Sequence, residues 1–212
     1  MRIGIIGAGN IGSTAARRFV RLGHDVCIAN SRGPRSLRSL VRELGPRVTA
    51  ATVEDAARFG DVVLVAILLF GLRSMPSAAF IGKIVIDPNN YFAGRNGNFT
   101  ELDSGELTHS ELFATQFPGT RIVKGFNTLS HIALANGGRP EATWDDRLAL
   151  YAAGDDAAAK SVVLDLYDAL GFTPIDAGPL VAGGRQLQPG GPVFNTDLTG
   201  AQAREIFPHP GW

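Results

Sequence analysis

Apolar and polar positions along this chain alternate in blocks. Short, nearly unbroken apolar runs occupy residues 2–6, 25–29, 48–51, 61–66, 83–87 and 121–124. An apolar run without polar alternation fits a strand covered on both faces, and residues 62–66 show this most clearly. Between the runs the spacing becomes helical. Ile11, Ala15, Phe19 and Leu22 share one face of a helix over 10–22, and Leu37, Leu40, Val41 and Leu44 share another that begins near Pro34. Thr52 with Asp55 three residues later resembles a capping box and predicts a helix start. Residues 91–107, rich in Gly, Asn and acidic side chains, read as a surface loop, followed by a short helix over 110–117. The strand–helix alternation through residue 124 predicts an α/β fold, a Rossmann-type doubly wound parallel sheet.

Beyond residue 125 the pattern changes. It predicts a short helix over 127–135, a loop at 137–140, a strand over 148–152, a helix over 155–170 and a strand over 172–176. Residues 177–198 are rich in Gly and Pro without clear periodicity, and a last helix spans 199–206. The expected organisation is a nucleotide-binding domain of residues 1–125 and a small C-terminal α/β portion of residues 126–212.

Composition narrows the function. The 212 residues carry 20 Lys+Arg against 20 Asp+Glu, a net charge of zero. That argues against nucleic acid and against a polybasic membrane surface as partners. The single cysteine, Cys27, excludes an internal disulfide and a cysteine-based zinc site. His24, His109, His131 and His209 have no metal-ligand spacing, so no metal is expected. The longest apolar run has nine residues, against about 20 for a membrane-crossing helix. The first strand starts at the second residue and leaves no room for a signal peptide, so a cytoplasmic protein is expected.

The chemistry concentrates at strand ends. Gly7-Ala8-Gly9-Asn10-Ile11-Gly12 follows a strand and opens a helix, the context in which G-x-G-x-x-G denotes a dinucleotide-binding turn. Gly7 would permit the turn, Gly9 the approach of a pyrophosphate and Gly12 the packing of helix on strand. The helix N-terminus would then face the phosphates with unpaired N–H groups. At the end of the second strand, where NAD enzymes carry a carboxylate for the ribose 2′-OH, this chain has Asn30-Ser31-Arg32-Gly33-Pro34-Arg35. Two guanidiniums, a hydroxyl and an amide suit a 2′-phosphate, so NADP is expected, with Arg32 as the principal contact and Arg35 as the second.

With these segments in view, the chain resembles the family of coenzyme F420-dependent NADP reductases, which also supplies the cytosolic domain of eukaryotic membrane ferric reductases. The resemblance is carried by residues 3–12, by Asn30-Ser31-Arg32-Gly33-Pro34, by Val85-Ile86-Asp87 followed by Asn89-Asn90, and by Val123-Lys124-Gly125-Phe126-Asn127-Thr128. It covers about the first 130 residues and continues more loosely into residues 176–180. It implies a homodimer and hydride transfer between NADP(H) and a deazaflavin (coenzyme F420) or a flavin such as FMN or FAD. It also implies that Ala66, Ile67 and Leu68, together with Asn89, Phe126 and Asn127, surround the nicotinamide end. The chain departs from the family pattern after the fourth strand, where Ala66-Ile67-Leu68-Leu69-Phe70 lacks proline, and at Gly125, where alanine is commoner.

Hydride transfer between stacked rings needs orientation more than an acid or base. Asn127, Thr128, Ser130 and His131 are the candidates to orient the acceptor. Two other readings compete: an NADPH-dependent reductase of a small imine, ketone or hydroxy acid, and a non-catalytic NADPH-binding module. An open slot beside residues 66 and 127 would favour ring stacking, whereas one filled by Leu68, Leu69 and Phe70 would disfavour it. The pairs Asp145-Asp146 and Asp155-Asp156 suit helix starts, and Trp144 and Trp212 suit surface or interface positions.

Overall fold

The computed structural model describes residues 1–208; His209 and Trp212 lie outside the described residues. Eight strands form one sheet in the order β3-β2-β1-β4-β5-β6-β7-β8. They are β1 (Arg2–Ile6), β2 (Asp25–Ala29), β3 (Val48–Ala50), β4 (Val62–Val65), β5 (Ile84–Asp87), β6 (Arg121–Gly125), β7 (Ala149–Ala153) and β8 (Thr173–Asp176). The first six are parallel, β7 runs antiparallel to β6, and β8 is parallel to β7. This is the expected doubly wound α/β sheet. The apolar run of β4 explains itself here. Val62 and Leu64 enter the core on one face with Ile3, Ile5 and Phe19, while Val63 and Val65 enter the other with Phe80, Phe113 and Phe117.

Helices α1 (Asn10–Arg21), α2 (Arg38–Leu44), α3 (Val53–Phe59) and α5 (His109–Gln116) link the parallel strands, and α7 (Ala157–Ala169) joins β7 to β8. Local signals set several ends. Thr52 accepts the Asp55 N–H before α3, Thr108 and Glu111 close a capping box before α5, and Asp156 caps α7.

Five segments differ from expectation. Pro34–Leu37 is a 3-10 turn that leads into α2, and the β4–β5 crossover consists of 3-10 turns at Leu69–Ser74 and Ser77–Phe80. The loop of 91–107 contains a short helix, α4 (Thr100–Asp103). The helix expected at 127 begins only at His131 as α6 (His131–Asn136), because the Ser130 hydroxyl accepts the Ala133 N–H and caps it there. The aperiodic stretch after 177 holds α8 (Leu180–Leu187). A Cβ at Gly183 would lie 2.4 Å from the Ala177 carbonyl oxygen, so close packing requires the glycine that hid the helical pattern. The chain ends, as far as described, near α9 (Gly200–Ile206), capped by Thr199 and Gln202.

Candidate active site

Two clefts open at the carboxyl ends of the parallel strands, where the strand order turns away from β1 on both sides, the place where open α/β sheets hold ligands. The first, about 670 Å³, is lined by Gly7, Gly9, Asn30, Ser31 and Arg32 on one side and by Val53, Ile67, Phe70 and Met75 on the other. The second, about 390 Å³, is lined by Gly9, Asn10, Ile11, Gly12, Ala66, Ile67, Asn89, Arg95 and His131 among others. Gly9 borders both clefts.

The three motif glycines have separate physical reasons. Gly7 takes φ +104°, and a Cβ there would stand 2.1 Å from the Ala66 carbonyl oxygen, where β1 and β4 turn out of the sheet together. A Cβ at Gly12 would lie 1.8 Å from the Gly7 carbonyl oxygen. A Cβ at Gly9 would meet no protein atom within 4 Å, so the space it leaves belongs to the clefts. Gly9 is also the N-cap of α1; no side chain caps that end and no acidic residue stands in its first turn. The positive end of a twelve-residue helix therefore faces the junction of the clefts.

After β2 the chain turns on itself. The Asn30 side-chain oxygen accepts the Arg32 N–H at 3.0 Å, and the Asn30 amide donates to the Ser36 hydroxyl at 2.9 Å. Asn30 thus shapes the turn. Arg32 is exposed at the cleft edge, while Arg35 is exposed but lines neither cleft.

A buried charged network underlies the second cleft. Asp87 ends β5 and Lys124 lies beside it on β6, in register, both fully buried. Lys124 Nζ stands 3.4 Å from Asp87 Oδ2 and donates to the Asn89 carbonyl. The Ser110 hydroxyl donates to Asp87 Oδ2 at 2.6 Å, and the Asn89 N–H donates to Oδ1 at 3.0 Å. Burial alone pushes the Asp87 carboxyl up, but Lys124, His109, Ser110 and the Asn89 N–H together outweigh it and hold the group below the ordinary carboxylate range. Burial lowers the Lys124 ammonium against the pull of Asp87. His109, first residue of α5, is buried with Nε2 at 3.9 Å from Asp87 Oδ1; neither ring nitrogen has a hydrogen-bond partner, and burial pushes the imidazole down to about 4. This network escaped the sequence reading. Its signal was present, however: two apolar strands that end on opposite charges.

The structure distributes the expected residues unevenly. Gly7, Gly9, Asn10, Ile11, Gly12, Asn30, Ser31, Arg32, Ala66, Ile67, Asn89 and His131 line the clefts. Phe126, Asn127 and Thr128 line neither; all three are buried, at 1%, 4% and 1% exposure. Phe126 adopts φ +60° with its ring against Phe19 and Tyr167, and its N–H donates to the Tyr167 hydroxyl at 3.1 Å. The same hydroxyl explains Gly125, where a Cβ would approach it to 2.2 Å. The Asn127 amide donates to Asn90 Oδ1 and to the Leu187 carbonyl, which ties α8 to the cleft floor. Phe92, Arg95 and Asn96, from the loop set aside as surface, line the second cleft. That cleft is open: Leu69 turns into the core at 3% exposure, Leu68 stays on the rim at 44%, and Phe70, 64% exposed, lines the first cleft instead.

Comparison with known proteins agrees with this geometry. The family model described as NADP oxidoreductase, coenzyme F420-dependent, matches residues 2–91. Metalloreductase STEAP3 of Rattus norvegicus is 31% identical over 183 residues, which cover 85% of this chain and 34% of that protein. The chain therefore spans about a third of the length of the metalloreductases it matches. The crystal structure of hypothetical protein SMa0349 from Sinorhizobium meliloti superposes with a TM-score of 0.82 at 33% identity, covering 94% of this chain and 95% of the other. A structure from Arthrobacter sp. FB24 assigned as an F420-dependent NADP reductase superposes with a TM-score of 0.67 at 27% identity, covering 85% and 86%. The glycine turn, the segment after β2 and these matches agree: residues 2–91 carry the sequence pattern of the NADP oxidoreductase, coenzyme F420-dependent, family, and the fold is shared with the two structures above.

Proposed function

We propose that this chain binds NADPH across the two clefts and passes its hydride to a tricyclic acceptor, coenzyme F420 or a flavin, stacked in the second. The observation that carries this reading is the open cleft of about 390 Å³ beside Asn89, which Leu68 borders without filling and to whose lining Leu69 and Phe70 do not contribute. The residues present fit the dinucleotide. The space above Gly9 and the uncapped start of α1 suit the pyrophosphate, and Arg32 at the far edge of the first cleft suits the 2′-phosphate. The apolar wall of Val53, Ile67, Phe70 and Met75 suits the adenine. When bound, NADPH supplies the hydride; the protein holds the two rings face to face and keeps them in register.

Two of the motif glycines separate binding from folding. Gly9→Ala is expected to leave stability within about 0.5 kcal/mol of wild type, as for a surface change, while weakening NADPH about tenfold or more. Gly12→Ala is expected to cost about 1–3 kcal/mol of stability by overpacking against Gly7. Urea unfolding and NADPH fluorescence titration of both variants check this pair of outcomes. Equal stability losses would contradict the separate roles.

Arg95 and His131 line the second cleft and, among the described residues, no Asp or Glu does, so the acceptor side favours a negatively charged substituent. The test is anaerobic NADPH oxidation in parallel with coenzyme F420, FMN, riboflavin and no acceptor. Turnover with a ring acceptor is expected, with FMN favoured over riboflavin about threefold to fivefold in KM and the preference reduced by Arg95→Ala. No turnover with any ring acceptor, despite NADPH binding, would overturn this reading in favour of a small carbonyl or imine substrate or a binding module. A homodimer belongs to the same proposal, and light scattering of the purified chain tests it.

A further inference from the structure

We propose that the side-chain oxygen of Asn89 receives the carboxamide N–H of the nicotinamide, and that the buried Asp87–Lys124 pair holds it in that orientation. The proposal rests on the NADPH reading above and assigns one atom of it.

Asn89 follows β5 by two residues and is half-buried at the lip of the second cleft. Its backbone N–H donates to Asp87 Oδ1, and its carbonyl accepts from Lys124 Nζ. Its side-chain nitrogen donates to the Val65 carbonyl at 2.7 Å and to Asp87 Oδ1 at 2.8 Å. Every donor of the residue is spent. Both partners of the amide nitrogen are pure acceptors, a carbonyl and a carboxylate. The amide therefore has one possible orientation, since reversal would set oxygen against oxygen twice. The side-chain oxygen is left over. It is fixed in direction and makes no hydrogen bond among the described residues.

Neighbouring amides do not compete for this role. Asn90 donates to the Asn127 carbonyl and accepts from its amide, and the Asn96 oxygen accepts the Phe92 N–H. The position relative to the cofactor follows from the two clefts. Gly9 borders both, so a pyrophosphate there places one nucleoside in each. Arg32 lines the first, which takes the 2′-phosphate half. The nicotinamide half falls in the second, where its carboxamide is the only neutral amide donor of that ring. A fixed acceptor at a half-buried lip matches it, and an unmatched one would cost affinity.

The experiment compares NADPH with its 3-acetylpyridine analogue, which keeps the carbonyl and replaces the NH₂ by CH₃. Dissociation constants are measured by fluorescence titration for wild type, Asn89→Ala and Asn89→Ser. Wild type is expected to favour NADPH about fivefold to tenfold, the worth of one neutral hydrogen bond. Both variants are expected to bring that ratio near one, while the NADPH-over-NADH preference, set at Arg32, stays. A wild type without the preference, or variants that keep it, overturns the proposal. If neither variant folds, NADP⁺ labelled with ¹⁵N in the carboxamide and bound to wild type decides. A downfield shift of one amide proton supports the assignment, and an unshifted pair overturns it. Failure of wild type to bind NADPH at all would overturn the underlying reading and this assignment with it.

Discussion

Replacement of Lys124 by methionine is expected to destabilise the chain by about 3–5 kcal/mol at neutral pH, the cost of leaving a buried charge without its partner. Asp87 and Lys124 sit opposite each other in the β5–β6 ladder, and neither is reachable by water. In the wild type the ammonium is the main counter to the burial of the Asp87 carboxylate. Ser110 and the Asn89 N–H satisfy its lone pairs but carry no net charge. Methionine keeps the volume and removes the charge. A loss of this size lowers Tm by roughly 10 °C in a chain of this length. The effect depends on pH in a defined direction. In the wild type the Asp87 carboxyl lies below its ordinary value, so its stabilisation is present above about pH 4 and fades as pH falls through the folded value. In Lys124→Met, burial without the cation raises the same carboxyl. The gap between the two proteins is therefore widest near neutrality and narrows toward pH 4. Adding Asp87→Asn to Lys124→Met removes the orphaned charge and is expected to recover most of the loss. Urea unfolding at pH 7 and pH 4.5 measures all of this; a single-variant cost below about 1 kcal/mol would show that the pair contributes little.

The second large effect is on cofactor choice. Under the proposed function, Arg32→Ala is expected to weaken NADPH about tenfold to a hundredfold, the worth of a charge-assisted hydrogen bond, and to leave NADH within about twofold. Arg32 lies at the edge of the first cleft, on a turn pinned by Asn30 and Ser36, and no hydrogen bond or ion pair within the described residues occupies its guanidinium. Only the 2′-phosphate distinguishes the two cofactors, so the ratio of their dissociation constants isolates this contact. Arg35, which lines neither cleft, is expected to change that ratio less than threefold when replaced by alanine. Equal losses for NADPH and NADH in Arg32→Ala would remove Arg32 from the phosphate site.

Several parts of the site were legible before the fold was known, and each is a matter of local chemistry. The strand–turn–helix of residues 2–21 follows from an apolar run, three spaced glycines and an amphipathic segment, all within twenty residues. The turn at Asn30–Ser36 is likewise closed by its own side chains. What was misread depended on partners distant in sequence. Phe126-Asn127 lies at a strand end and so read as cleft lining, yet Tyr167, 41 residues on from Phe126, draws the phenyl ring and backbone inward. The loop carrying Arg95 read as plain surface because nothing in its composition tells that it folds back over the glycine turn.

The sequence by itself determined the α/β alternation, the glycine turn and the basic turn after β2, because backbone conformation and short-range hydrogen bonds settle those within a few residues. Only the tertiary structure decided that β7 and β8 extend the same sheet in the opposite direction, that Asp87 meets Lys124, and that Asn89 is left with a single free acceptor. Those outcomes depend on strand register and on which side chains are removed from water together. The underlying interactions join residues tens of positions apart, and no local pattern encodes them.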